Sequence, residues 1–332
     1  MDLSWGVYLN LGANLGATTK DVFELTLQQA TLAEQAGFRD LWVTEHHFIP
    51  FGINPSSLTA SAFLLGRTQR IRVGTAVTLC PLYHPLELAE RAALLDQLSG
   101  GRFDLGLGRG GYLKDFEMLE RDTARWDDEP LHSAQHILKA WSGEDLAQET
   151  HDSGPSFLQP MPATEPHPPM FLATSNKEAI QYAAQRSIPL MHYFATPVAA
   201  RVAIEDVYRQ ANPDAQVQHV HNLIVQVTNN VDSARKSLQA ALVESFSGGD
   251  WPHVPQARTN RHVGPDGKPL SRDDMAYHAA QGAIMGDWSQ VQDEMCAFVE
   301  ETGACRIVAY AEACADAQVT LNTLETIGAR MS

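Results

Sequence analysis

The chain has 332 residues, 44% of them hydrophobic and 19% charged. That apolar content excludes a disordered chain, and the length suits either two ordinary domains or one large α/β barrel. Forty acidic residues against 24 basic ones give a net charge of −16, which makes nucleic acid or an anionic membrane a poor partner, because gripping phosphate needs cationic contact.

Met1–Asn10 lacks the basic stretch of a signal peptide, and no apolar run reaches the roughly 18 residues that span a bilayer. From there one rhythm repeats: a short apolar run, a polar turn, a longer amphipathic stretch. Strands are expected at Trp5–Leu9, Asp40–Thr44, Ile71–Thr78 and Arg102–Leu107. Helices lie between them at Lys20–Ala36, capped by Thr18 and Thr19 and closed by Gly37, at Ser57–Arg67 and at Pro85–Leu98. The spacing is that of a βαβ unit, roughly 30 residues or more.

The second half continues with strands at Met170–Ala173, Pro189–Tyr193, His221–Thr228 and Arg306–Tyr310. Its helices are expected at Asn176–Arg186, Pro197–Gln210, Val231–Ser245, Ser289–Thr302 and Asp316–Gly328. Two segments exceed a minimal unit. Tyr112–Pro169 holds a helix at Pro130–Trp141 and a proline-rich stretch, and Gly248–Gly286 holds a polar run at Trp251–Pro269. Eight alternating units with insertions after strands four and seven predict a single (β/α)₈ TIM barrel over residues 1–332, with 248–286 as a mobile lid. A doubly wound sheet has the same periodicity. The four cysteines, Cys80, Cys296, Cys305 and Cys314, show no CxxC spacing, so free thiols in a reducing cytoplasm are expected rather than disulfides or zinc.

Three clusters carry chemistry, each at the C-terminal end of an expected barrel strand, where barrel active sites lie. After strand two comes Thr44-Glu45-His46-His47-Phe48. Neighbouring strand residues face opposite ways, so the two histidines do not share a metal from strand geometry. Either they hydrogen-bond within a loop, or one serves as general acid/base beside Glu45. After strand four, Gly106-Leu107-Gly108-Arg109-Gly110-Gly111-Tyr112 combines close backbone approach with a cation suited to phosphate. It also reads as a plain glycine-rich loop. After strand five, Thr174-Ser175-Asn176 opens a helix as an N-cap or a phosphate cradle.

With these residues in place, the chain resembles the bacterial luciferase-like flavin-dependent monooxygenases, closest to the luciferase α-subunit branch. The likeness is densest from Asp40 to Phe116, through EHHF, GTAVTLCPLYHP, GRFDLGLGRG and GYLKDF, and it continues through FLATSN, IMGD and the terminal strand and helix. It implies a barrel that binds reduced FMN (FMNH2), which reacts with O2 as a C4a-hydroperoxyflavin to oxygenate an organic substrate, an aldehyde or a secondary metabolite. The FMNH2 would come from a separate NAD(P)H:flavin reductase.

By position, the resemblance implies catalytic roles for His46 and His47. It places Arg109, Thr174, Ser175 and Asn176 at the FMN phosphate and Tyr112 beside the cofactor, and it sets a non-proline cis peptide at Ala76–Val77 against the flavin ring. It implies no metal, and a homodimer through the second and third helices, with Ala60, Ala62, Leu65, Ala89, Ala92 and Ala93 as small or apolar contacts. The sequence departs from the branch in two places. Gly108 stands where luciferases carry a reactive cysteine, and Glu129 and Pro130 stand where a second phosphate arginine is expected, with Arg121 and Arg125 as candidate replacements. The same barrel also serves dehydrogenases and reductases that use deazaflavin (coenzyme F420), and non-catalytic partner subunits like the luciferase β chain.

Overall fold

A strand covered on both faces needs apolar or well-paired side chains on each, and the strands of this chain carry two different sets. The computed structural model describes residues 3–12, 16–122, 124, 126, 129–147, 154–247 and 270–331. Within them lie β1 (Ser4–Leu9), β2 (Asp40–Val43), β3 (Arg72–Thr75), β4 (Thr78–Leu79), β5 (Phe103–Gly108), β6 (Met170–Ala173), β7 (Met191–His192), β8 (Val220–Val227), β9 (Ile284–Gly286) and β10 (Arg306–Tyr310). Every pairing between these strands is parallel.

The order runs β1, β2, β3, β5, β6, then through the parallel bridge Leu172–Leu190 to β7, β8, β10 and back to β1. Closure rests on hydrogen bonds such as Leu172 N to Pro189 O, 3.1 Å, and Val220 N to Leu190 O, 2.8 Å. The sheet is therefore a closed barrel of eight strands, as expected, and the doubly wound alternative is excluded.

The α-helices of the described residues are α1 (Thr19–Ala36), α2 (Ser57–Arg67), α3 (Pro85–Ser99), α4 (Leu113–Met118), α5 (Glu129–Trp141), α6 (Lys177–Gln185), α7 (Val198–Ala211), α8 (Val231–Ser247), α9 (Arg272–Gln281), α10 (Trp288–Thr302) and α11 (Ala317–Gly328). No helix among the described residues is long and apolar enough to cross a membrane. Thr18 alone caps α1, in a capping box with Asp21, while Thr19 is already helical. Gly37 closes α1 in the left-handed conformation, φ 83°.

Three expectations need correction. The third strand is not continuous over Ile71–Thr78: β3 ends at Thr75, and a cis peptide at Ala76–Val77 separates it from β4. The IMGD segment begins with a short strand, β9, paired with the end of β8. Each insertion also holds a helix that periodicity did not reveal, α4 in the first and α9 in the second. Residues 248–269, including the polar run Trp251–Pro269 and most of the expected lid, lie outside the described residues.

Outward-facing residues such as Val7, Leu41, Leu105 and Ile307 pack against the helices in one large core. The lumen holds a second core at its upper, C-terminal end, with Tyr8, Trp42, Phe171, Ile224 and Tyr310. Its lower end is filled by charge. Arg306 donates to Asp40 at 2.7 Å and lies 3.6 Å from Asp104, which also pairs with Arg72. Small residues leave room for this layer: a Cβ on Gly6 would meet Asp40 Oδ1 at 2.0 Å, and one on Gly74 would meet Trp42 at 2.5 Å. Burial pushes the Asp104 carboxyl above its usual range, against the pull of Arg72 and Arg306.

Arg306→Met keeps an unbranched apolar stem and removes the guanidinium, leaving Asp40 without its closest cation. Breaking a buried pair from one side typically costs about 3–5 kcal/mol. Urea unfolding of the variant is expected to show a loss of that size; a loss below about 1 kcal/mol would mean that the pair does not hold the barrel floor.

Candidate functional site

β2 stops at Val43, and the chain that follows is stapled across the end of β1. Thr44 donates from its hydroxyl to Asn10 O, 3.0 Å, and Asn54 Nδ2 donates to Thr44 O, 2.6 Å. His46 N donates to Asn54 O, 2.9 Å. This fixes the backbone that carries Glu45, His46 and His47. Glu45 is buried, and its carboxylate accepts from Ser57 N at 2.9 Å, Ser57 Oγ at 2.7 Å and the Tyr83 hydroxyl at 3.0 Å.

The two imidazoles part company. His46 sits edge-on to Phe51, with ring centroids 4.9 Å apart, and edge-on to Tyr112 at 6.1 Å. Its Nε2 is buried without a hydrogen-bond partner. Burial, with a smaller push from His47, holds its pKa down to about 3, so the ring is neutral at physiological pH. A neutral Nε2 accepts or donates one proton according to tautomer. His47 Nε2 approaches Glu45 Oε1 at 3.7 Å, and its ring lies beside Phe48. Both histidines follow the end of β2 rather than alternating within it, and Glu45 faces His47, not His46.

β3 and β5 meet this loop from the other side. Ala76 N donates to Val43 O at 2.7 Å, and the Ala76–Val77 peptide is cis, as the resemblance implied. Thr75 Oγ1 donates to Gly106 O, 2.8 Å, and accepts from Gly106 N, 2.9 Å. A Cβ on Gly108 would lie 2.5 Å from Val77 Cγ2. Val77 thus occupies the space a side chain at 108 would need, and a cysteine there would require Val77 to shift. The nearest thiol, Cys80, donates to Gly108 O at 3.2 Å, and burial pushes its pKa well up, so it is an inert packing group.

Arg109 extends from the glycine loop with its guanidinium 4.5 Å over the Trp126 ring, while the Trp126 indole donates to Arg109 O at 2.6 Å. Gly108 pairs in register with Ala173, the last residue of β6, which brings Thr174, Ser175 and Asn176 alongside. Asn176 caps α6 by accepting from the N–H of Glu178 and Ala179, and Thr174 Oγ1 accepts from Asn176 N. Ser175 is left exposed at the helix start. A cation, a hydroxyl and a helix N-terminus form a donor set suited to a phosphate monoester. Where a second arginine was expected, buried Glu129 hydrogen-bonds Ser133 and His132, each at 3.0 Å. Arg121 is exposed after α4, and Arg125 lies outside the described residues.

Sequence reasoning missed the aromatic wall around His46. Phe51 contacts Phe194 at 6.4 Å and Phe246 at 5.7 Å, and Phe194 contacts Tyr8 at 6.4 Å and Tyr310 at 5.1 Å. Tyr8, Phe194 and Tyr310 lie at or just past the ends of β1, β7 and β10, so inward alternation from those strands was the available signal. Also missed was a buried cluster outside the lumen, where Glu205 Oε1 of α7 lies 2.7 Å from His192 Nε2 and 3.3 Å from His221 Nε2. These three offer ligand-type atoms within 4.8 Å of one another. Arg201, one helical turn before Glu205, is equally buried and supplies the balancing charge while donating to the carbonyls of Tyr193, Thr196 and Asn222.

A sequence model of luciferase-like monooxygenases matches residues 2–306. The alkanal monooxygenase alpha chain of Photobacterium leiognathi is 29% identical over 231 residues, covering 66% of this chain and 64% of that protein. The oxygenase component of the flavin-dependent trigonelline monooxygenase of Acinetobacter baylyi is 28% identical over 177 residues, 51% of this chain and 48% of that protein. The chain thus spans about half to just under two-thirds of the length of these curated relatives.

Among solved structures, a monooxygenase from Streptomyces bottropensis has a TM-score of 0.80 at 22% identity over 98% of both chains. The oxygenating constituent of 3,6-diketocamphane monooxygenase from Pseudomonas putida, in complex with FMN, has a TM-score of 0.75 at 18% identity, covering 99% of this chain and 97% of that one. An F420-dependent secondary alcohol dehydrogenase shares the fold with a TM-score of 0.72 at 16% identity, covering 98% of each chain.

Proposed function

The chain belongs to the luciferase-like monooxygenase family, and from that premise we propose that it is the oxygenase of a two-component system. It takes FMNH2 from a separate NAD(P)H-dependent flavin reductase and uses O2 to oxygenate a small organic substrate, in the cytoplasm. The observation that carries this reading is His46: a neutral imidazole whose buried Nε2 has no partner, at the C-terminal mouth of the barrel.

Arg109 and Ser175, with Thr174, Asn176 and the start of α6, bind the FMN phosphate. Ala76 and Val77 present an apolar surface to the flavin ring, and Tyr112 packs at its edge. Bound reduced FMN supplies the electrons that activate O2. His46 holds or moves a proton at Nε2, and Phe51, Phe194 and Tyr112 keep water from that atom. His47, whose buried Nε2 also lacks a hydrogen-bond partner and lies 3.7 Å from Glu45 Oε1, is the second imidazole of that loop.

The protein forms a homodimer through α2 and α3. Leu65, Ala89, Ala92 and Ala93 are buried against the barrel rather than free for a partner, whereas Phe63, Leu94 and Leu98 are 57%, 46% and 76% exposed. Those three supply the apolar surface that a second copy covers.

Arg109→Ala removes a charge-assisted contact worth roughly 1.5–3 kcal/mol. FMNH2 binding is expected to weaken by about 10- to 100-fold while riboflavin binding stays near wild type; equal losses would place the phosphate elsewhere. Light scattering at micromolar concentration is expected to give the mass of a dimer, and a monomer would remove the interface. The direct test of function is His46→Ala. It should bind FMNH2 as the wild type does and lose product formation by about 10²–10⁴-fold, with the reducing equivalents lost as hydrogen peroxide. Undiminished product formation would end the assignment.

A further inference from the structure

Residue 52 lies in a tight return of the loop that carries the imidazole. Ile49 and Gly52 form an antiparallel bridge, Ile53 N donates to Leu11 O at 2.9 Å, and Asn10 Nδ2 donates to Phe51 O. The return brings Gly52 under the His46 ring. A Cβ on Gly52 would lie 2.4 Å from His46 Cδ2, 3.1 Å from its Cγ and 2.9 Å from Asn10 O.

Glycine is not demanded here by the backbone. Gly52 is absent from the positive-φ residues, so an L side chain meets no conformational barrier at this position. What it meets first is the imidazole, with Asn10 O next. Ordinary van der Waals contact begins near 3.4 Å, so relief of a 2.4 Å contact moves Cδ2 by about 1 Å. Cδ2 is bonded to Nε2, and the buried, unpartnered Nε2 is the atom that the proposed reaction uses. Phe51 stands edge-on to the same ring, so the imidazole is held between a glycine and an aromatic ring with one nitrogen left open.

We propose that Gly52 is a positioning residue: its missing side chain is the seat of the His46 imidazole and sets where Nε2 points. The inference rests on His46 being the reacting imidazole. A substituent at 52 then acts on catalysis chiefly through the ring, its closest contact, leaving the phosphate contacts of Arg109 and Ser175 intact. A displacement near 1 Å in a catalytic group lowers turnover by up to about 100-fold.

The test compares Gly52→Ala, His46→Ala and the double variant. In flavin-free protein labelled at histidine, the His46 ring resonances of the wild type should show a neutral imidazole from pH 8 down to pH 5, since burial holds its pKa near 3. In Gly52→Ala they should shift, and the ring should titrate closer to the ordinary histidine range as it is pushed out of its seat. Turnover should fall about 10- to 100-fold with FMNH2 binding within about 3-fold of wild type, and the double variant should be no slower than His46→Ala.

If Gly52→Ala folds poorly, the melting temperatures decide. Removing the ring should relieve the contact, so the double variant should melt with His46→Ala. A double variant as destabilised as Gly52→Ala would trace the clash to Asn10 O and overturn the proposal. Unshifted His46 resonances with wild-type turnover in Gly52→Ala would overturn it as well. Full turnover in His46→Ala would instead overturn the reading of His46, and with it the role given to Gly52.

Discussion

The lumen of a closed eight-stranded barrel must be filled, and here the filling begins with a buried guanidinium. Arg306 reaches from β10 to Asp40 of β2 across β1 and approaches Asp104 of β5. The same guanidinium lies 5.2 Å below the Trp42 ring and 4.9 Å from Phe171, which meet each other edge-on at 5.0 Å. Trp42 is tied back to Asp40 by its indole N–H at 2.6 Å. Charge thus anchors the lowest aromatic layer, and the layer above it, Tyr8 against Tyr310 at 4.9 Å, supports Phe194 and Phe51. His46 rests on Phe51 at the top of this column. Desolvating these ions is costly, and the return is a fixed stack beneath the site.

The same economy of charge operates at the mouth. Glu45 stands next to His46 in sequence yet is drawn away by Ser57 and Tyr83. No carboxylate contact therefore raises the pKa of His46, and burial, with a smaller push from His47, holds it down. The cation of the site, Arg109, is placed on a different strand end and steadied over Trp126. A neutral imidazole and a cation on a separate strand end allow the proposed binding and proton handling to be altered independently.

Much of this was legible from the sequence because barrel strands are short apolar runs set a βαβ unit apart. All eight barrel strands and helices such as Ser57–Arg67 stand where periodicity put them. The interruption of the third strand was not visible in IRVGTAVT, since a cis bond leaves no mark on hydropathy. Helix α9 escaped because it is polar in composition, with only Met275, Ala276, Ala279 and Ala280 buried. His46 and Arg109 were singled out because their residue types advertise chemistry. Phe51, Phe194 and the Glu205 cluster were not, because an aromatic or a histidine in a core position reads the same whether it lines a site or fills a layer. Gly52 is the extreme case, since its role is the absence of atoms and only coordinates reveal what a Cβ would strike.

The central claim is that this barrel end binds a reduced flavin mononucleotide and governs its reaction with oxygen. An anaerobic titration of the protein with FMNH2, followed by rapid mixing with aerated buffer, addresses it in one experiment. The account predicts saturable binding of FMNH2 and a flavin reoxidation time course distinct from that of free FMNH2 under the same conditions. It would be contradicted by a reoxidation trace identical to that of free FMNH2, or by selective binding of reduced deazaflavin with no oxygen consumed.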